Sequence, residues 1–127
     1  MRHLLDTHVL IWFINGNNEL SKNARNAIES ESALNFVSIA SLWEMAIKIS
    51  LGRLDLFTPF EQIEQQIINN NFKILSTTFQ DTLTLSSLPF YHRDPFDRMI
   101  ISQSITNNLS VISKDKFFGD YKIELIW

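Results

Sequence analysis

Cysteine is absent from this chain, and glycine and proline each occur only 3 times in 127 residues. Without thiols there are no disulfides and no thiolate metal sites, which suits a reducing compartment and makes the cytoplasm the expected location. So few glycines and prolines leave no linker or low-complexity tract, and residues 1–127 read as a single domain. No apolar run reaches membrane-spanning length, and Asp6 stops the N-terminal run before it attains that of a signal peptide. Positive charge is also scarce. Lys and Arg number 11 against 14 Asp and Glu, a net charge of -3 that is awkward for a nucleic-acid partner.

What the chain does have is apolar content, 45% of its residues, enough for one core. Short apolar runs at Leu4-Leu5, Leu34–Val37, Phe72–Leu75, Leu109–Ile112 and Lys122–Ile126 read as five strands. Between them lie helical patterns: Val9–Ile14, a polar helix opened by Ser21, Ile39–Ile49 stopped by Gly52, a helix after Pro59, Phe79–Leu88, and one started by Asp94-Pro95 and ended by Asn107-Asn108. Strands alternating with helices predict an α/β fold, a three-layer α/β/α sandwich around a mostly parallel sheet. Ligands of such sheets gather beyond the carboxyl ends of the strands, near a topological switch point.

Four acids follow or close these apolar stretches: Asp6, Glu44, Asp97 and Asp115. Each has an ordinary explanation by itself. Asp6 suits a helix N-cap, Glu44 stands three residues after Ser41 as in a capping box and four before Lys48 as in a helical ion pair, Asp97 follows the N-cap Asp94 and Pro95 as an acid favoured by the helix dipole, and Asp115 occupies a polar turn. Together, at one end of one sheet, they form a carboxylate cluster. Several carboxylates repel one another unless a cation or proton intervenes, and hard oxygen donors without cysteine suit Mg²⁺ or Mn²⁺. A metal-dependent reaction on phosphate is the expected chemistry. Lys48, Arg53, Arg93, Arg98, Lys114 and Lys116 lie near these acids in sequence and offer a basic rim despite the acidic total.

The segments Asp6-Thr7-His8-Val9-Leu10-Ile11-Trp12, Ser41–Lys48, His92-Arg93-Asp94-Pro95-Phe96-Asp97-Arg98 and Ser113-Lys114-Asp115 resemble, in order and spacing, the signature blocks of PIN-domain proteins of the VapC toxin type. Asp-Pro-Phe-Asp-Arg is the most specific of them. The resemblance covers essentially the whole chain and implies a five-stranded parallel sheet between helices and an endoribonuclease of a type II toxin-antitoxin system. It further implies an acidic pocket for Mg²⁺ or Mn²⁺ built from Asp6, Glu44, Asp97 and Asp115, with Asp94 as an outer member. Water activated by the metal is the nucleophile in that reading. Lys48 and Arg98 are candidates for substrate phosphate, Thr7 and Ser41 for orienting a ligand or water, and His8 and His92 stay outside the catalytic set. The implied partners are RNA, a cognate antitoxin and a second copy of the chain, with no membrane.

Three other readings fit parts of the pattern. A phosphatase of similar sheet type places a second acid two residues after the first, where this chain has His8; a phosphoryl-accepting receiver domain carries paired acids after its first strand and lacks the Asp-Pro-Phe-Asp block. A protein-interaction module would keep the acids as a structural cluster without catalysis.

Overall fold

The computed structural model describes residues 1–127. Five strands, β1 (Arg2–Leu5), β2 (Leu34–Ser38), β3 (Lys73–Leu75), β4 (Ser110–Ile112) and β5 (Leu125–Ile126), form one sheet in the order β3-β2-β1-β4-β5. Every pairing is parallel. Six α-helices connect them: α1 (Thr7–Asn15), α2 (Lys22–Glu29), α3 (Ile39–Ser50), α4 (Ile63–Asn69), α5 (Phe79–Ser86) and α6 (Pro95–Asn107). The predicted three-layer α/β class is the one observed, with a sheet that is parallel throughout.

Alternation along the strands divides the core. Leu5, Val37 and Ile112 face one side with Val9, Leu10, Ala24, Ile28, Met45, Ile63 and Ile67, so α1, α2 and α4 with part of α3 cover that surface. Leu4 and Val111 face the other, against Ile100 and Ile101 of α6 and Phe118 and Tyr121 of a 3₁₀ segment at Lys116–Tyr121. Successive side chains of a strand point to opposite faces, so Leu4 and Leu5 anchor the two layers from adjacent positions. Full burial of one such leucine contributes roughly 1.5–3 kcal/mol.

The helix boundaries follow their capping chemistry. Ser21 accepts the Ala24 N–H to start α2, and Asp94 accepts those of Phe96 and Asp97 to start α6, with Pro95 at the first helical position. Gly16 ends α1 at φ 65°, a left-handed conformation that costs glycine little. Three local expectations change. The N-cap of α3 is Ser38, whose Oγ accepts the Ala40 N–H, so Ser41 lies inside the helix and forms no capping box with Glu44. Pro59 precedes a short 3₁₀ turn, Phe60–Gln62, that leads into α4. The fifth strand is shorter than its apolar run, because Lys122 takes a φ of 59° to close the preceding 3₁₀ segment.

A buried polar knot joins α5 to α6. Asp81 accepts hydrogen bonds from the Thr78 N–H, Thr106 Oγ1 and Gln103 Nε2. Burial alone would raise its pKa, but the donors from Thr106, Thr78 and Gln103 outweigh it and hold the carboxyl below the ordinary 3.8. A depressed folded-state value means that this stabilisation is present above pH 3.8 and is lost as pH falls through the lower folded value. Asp81→Asn is therefore expected to cost about 1–3 kcal/mol near neutrality, the usual range for buried polar groups left unmatched. Urea melts at several pH values check this: the gap between wild type and variant closes in acid, and a gap that does not depend on pH contradicts the assignment.

Candidate functional site

The chain runs outward from β1 through β2 to β3, then returns to the other side of β1 to lay down β4 and β5. The switch point therefore lies between β1 and β4, where Asp6 and the segment Ser113–Asp115 emerge from adjacent carboxyl ends. Asp6 is buried and N-caps α1, its Oδ1 accepting the Val9 N–H at 2.8 Å, while its Oδ2 accepts the Ser113 hydroxyl. Ser113 Oγ in turn accepts the Asp115 N–H at 2.9 Å, which fixes the turn carrying the second acid. Asp115 caps the 3₁₀ segment through the Phe117 N–H at 3.0 Å.

Asp97 arrives from the first turn of α6, the position dictated by the Asp94-Pro95 start. Its Oδ2 lies 2.8 Å from His92 Nε2. His92, Asp97 and Asp115 each offer a ligand atom, and these atoms all lie within 4.8 Å of one another. Neither Asp6 nor Glu44 offers an atom to that group. The physical reason is visible in their partners: both Asp6 oxygens already accept hydrogen bonds, and Glu44 Oε2 is turned to Lys48 Nζ at 2.9 Å. Glu44 is nevertheless buried, and its Oε1 has no hydrogen-bond partner. Asp6 adjoins the group through charge, because its ionisation is felt at Asp97 and it feels that of Asp115.

Of the other expected positions, Thr7 and Ser41 are buried and bond to each other at 2.9 Å, tying the start of α1 to α3. Arg98 does not reach outward as a phosphate ligand. It is 4% exposed, its guanidinium donates to the carbonyls of Leu88, Pro89 and His92 and lies 4.0 Å over the Phe90 ring. Arg53, Arg93, Lys114 and Lys116 are exposed, and Lys114 pairs with Glu19 at 3.0 Å. His8 is exposed beside Asp6, Trp12, Lys114 and Asp115, which line a cavity of about 280 Å³. The residues that sequence spacing passed over are Ser113 as the bridge to Asp6, and His92, which is five positions from Asp97 across a loop boundary and so shares no helical face with it.

The electrostatics are those of an uncompensated anionic site. Burial raises the Asp6 carboxyl above its ordinary value, Asp115 adds to the rise, and the bonds from Ser113 and the Val9 N–H offset it in part. Burial, with the charges of Asp94 and Asp6, pushes Asp97 up to about 6 despite the His92 contact. Such a donor set fits a hard divalent cation, which would offset the burial and the smaller mutual repulsion that raise both carboxyls. For the ion-free protein the sign is fixed: a folded pKa near 6 against an ordinary 3.8 means stability falls as pH rises through that window. Asp97→Asn is expected to flatten this dependence and to raise the melting temperature at pH 7.5 in EDTA. Calorimetry at pH 5 and 7.5 checks it, and a variant less stable than wild type at pH 7.5 contradicts it.

The sequence profile of the PIN domain family matches residues 3–124. A search of curated protein sequences finds no match to this chain. Among solved structures, VapBC2 from Rickettsia felis, bound to a DNA fragment from its promoter, aligns with a TM-score of 0.72 at 18% identity over 98% of this chain and 97% of its own. FitAcB from Neisseria gonorrhoeae aligns with a TM-score of 0.65 at 18% identity, covering 97% of this chain and 95% of that one. A toxin-antitoxin complex from Klebsiella pneumoniae gives 0.62 at 20%, covering 90% and 87%. At these identities the likeness establishes the fold. With a family profile spanning nearly its full length and a parallel sheet shared with these structures, the chain belongs to the PIN domain family.

Proposed function

We propose that this chain is a divalent-metal-dependent endoribonuclease of the VapC type, the toxin of a type II toxin-antitoxin pair. The observation that carries this reading is the convergence of Asp97, Asp115 and the Asp6 charge at the sheet's switch point, with Asp97 raised to about 6 by burial and by the neighbouring carboxylates Asp94 and Asp6. Asp97 and Asp115 are the residues to hold Mg²⁺ or Mn²⁺, with Asp6 beside them and Glu44 behind its ion pair with Lys48. A bound divalent ion supplies Lewis-acid polarisation of the scissile phosphate and a more acidic water.

The chain's own residues supply position. Asp6 stays anchored by Ser113 and α1, so its carboxyl would lie in a fixed place beside a cation held by Asp97 and Asp115. Arg93 and Lys116 are exposed beside the acids in sequence and are the candidates to meet phosphates, with Lys114 joining them if its solvent-exposed pair with Glu19 opens; Arg98 is excluded by its burial, and Lys48 is held by the buried Glu44. With a net charge of -3, affinity for RNA must come from this local set rather than from the molecule as a whole.

An antitoxin partner is supported by the nature of the structural relatives, which are toxin-antitoxin complexes. Phe57 is 81% exposed and offers apolar surface to such a partner, whereas Trp12, Phe13 and Phe60 pack against the core. Homodimerisation and residence in the cytoplasm belong to the same proposal; no helix is long and apolar enough to cross a membrane.

The test is cleavage of a mixed single-stranded RNA pool with Mg²⁺, Mn²⁺ or EDTA. Wild type is expected to cut only with metal, and Asp97→Asn and Asp115→Asn to fall to the EDTA level while remaining folded. Full activity in either variant contradicts the assignment, and a folded, metal-binding wild type that cuts nothing favours the protein-interaction reading.

A further inference from the structure

We infer that His92 is itself a donor to the divalent ion, so that the site offers a mixed nitrogen and oxygen set rather than carboxylates alone. This rests on the metal-dependent reading above and sharpens it to a preference for Mn²⁺ over Mg²⁺. Donor atoms about 2.1 Å from one ion lie about 3.0 Å apart when adjacent and about 4.2 Å apart when opposite. His92 Nε2 and Asp97 Oδ2 are 2.8 Å apart, and the group formed with Asp115 spans no more than 4.8 Å. Both separations are within a small adjustment of a shared ion.

The imidazole is held in place by contacts that have nothing to do with its own chemistry. The His92 N–H donates to Tyr121 Oη at 2.9 Å, its carbonyl accepts from Arg98 Nη1 at 3.3 Å, and its ring stacks on Phe117 at 5.3 Å with planes 17° apart. Arg98 is buried without a carboxylate partner and spends its donors on the loop that carries His92. Phe117 belongs to the same turn as Asp115, so one segment supplies a carboxylate and orients the ring. Nδ1 makes no hydrogen bond within the protein and the side chain is 22% exposed, so the ring's proton can reside on Nδ1 while Nε2 meets an ion. Such fixing of backbone, ring plane and Nε2 together is what preorganises a ligand.

An imidazole nitrogen in place of one oxygen shifts preference from Mg²⁺ toward Mn²⁺ and the later divalent ions.

The test is pulsed EPR of Mn²⁺ bound to the whole protein, with titration of Mn²⁺ and Mg²⁺ by calorimetry, on wild type, His92→Gln and Asp97→Asn. Expected are ¹⁴N coupling to bound Mn²⁺ in wild type, its loss in His92→Gln, and a fall in Mn²⁺ affinity there of at least about tenfold, the loss usual even for an outer-sphere partner. Mg²⁺ affinity should fall less. Mn²⁺ binding that depends on Asp97 but shows no ¹⁴N coupling overturns the inference and leaves His92 as a hydrogen-bonding support for Asp97. Coupling that survives in His92→Gln places the nitrogen elsewhere, His8 first, and overturns it as well. Mn²⁺ binding that is absent, or indifferent to Asp97→Asn, overturns the metal-dependent reading together with this one.

Discussion

Parallel pairing of β1 with β2 on one side and β4 on the other is the constraint on which the rest depends. Parallel strands present their carboxyl ends at one edge, and the change of direction at β1 leaves that edge open there. Asp6 and Ser113 leave adjacent strands at equivalent heights, which is why a hydrogen bond can join residues 107 positions apart. The sheet is central and covered on both faces by apolar clusters, and at its opened edge the acids gather without crossing the core.

The polar residues at that edge do two jobs. Asp6 is both a helix cap and a fixed charge, and Asp115 both ends a strand turn and starts a 3₁₀ segment. Thr7 with Ser41, and Lys48 with Glu44, lock α1 and α3 around them. Arg98 shows the same economy in reverse: a cation one residue from the acidic centre is spent on backbone carbonyls and an aromatic face, and so leaves the carboxylates unneutralised. Burial drives the upward shifts of Asp6 and Asp97, neighbouring carboxylates add to them, and the hydrogen bonds each group accepts offset them only in part.

Much of this was legible in the sequence because local rules agree with the fold. The Asp94-Pro95 start, the Ser21 cap and the terminations at Gly52 and Asn108 are short-range signals, and the structure obeys them. The short apolar strand cores implied burial on both faces, which the two hydrophobic clusters realise. Other features depend on distances that spacing does not encode. Ser41 fits a capping box by count, but Ser38 begins the helix and Ser41 meets Thr7 across 34 positions. Arg98 looks available for phosphate until α6 rotates it under the preceding loop, and His92 reaches Asp97 only because that loop folds back over Tyr121. Nor does spacing separate acids that offer free oxygens from those, like Asp6, already engaged.

The central claim is that folding assembles an anionic centre at Asp97 and Asp115 that a divalent cation completes. Anomalous diffraction from a crystal grown with Mn²⁺ tests it most directly. The account predicts one or two Mn²⁺ peaks in contact with the Asp97 and Asp115 carboxylates beside Asp6. Bound Mn²⁺ found only at other surface acids, with this centre left bare, would contradict it.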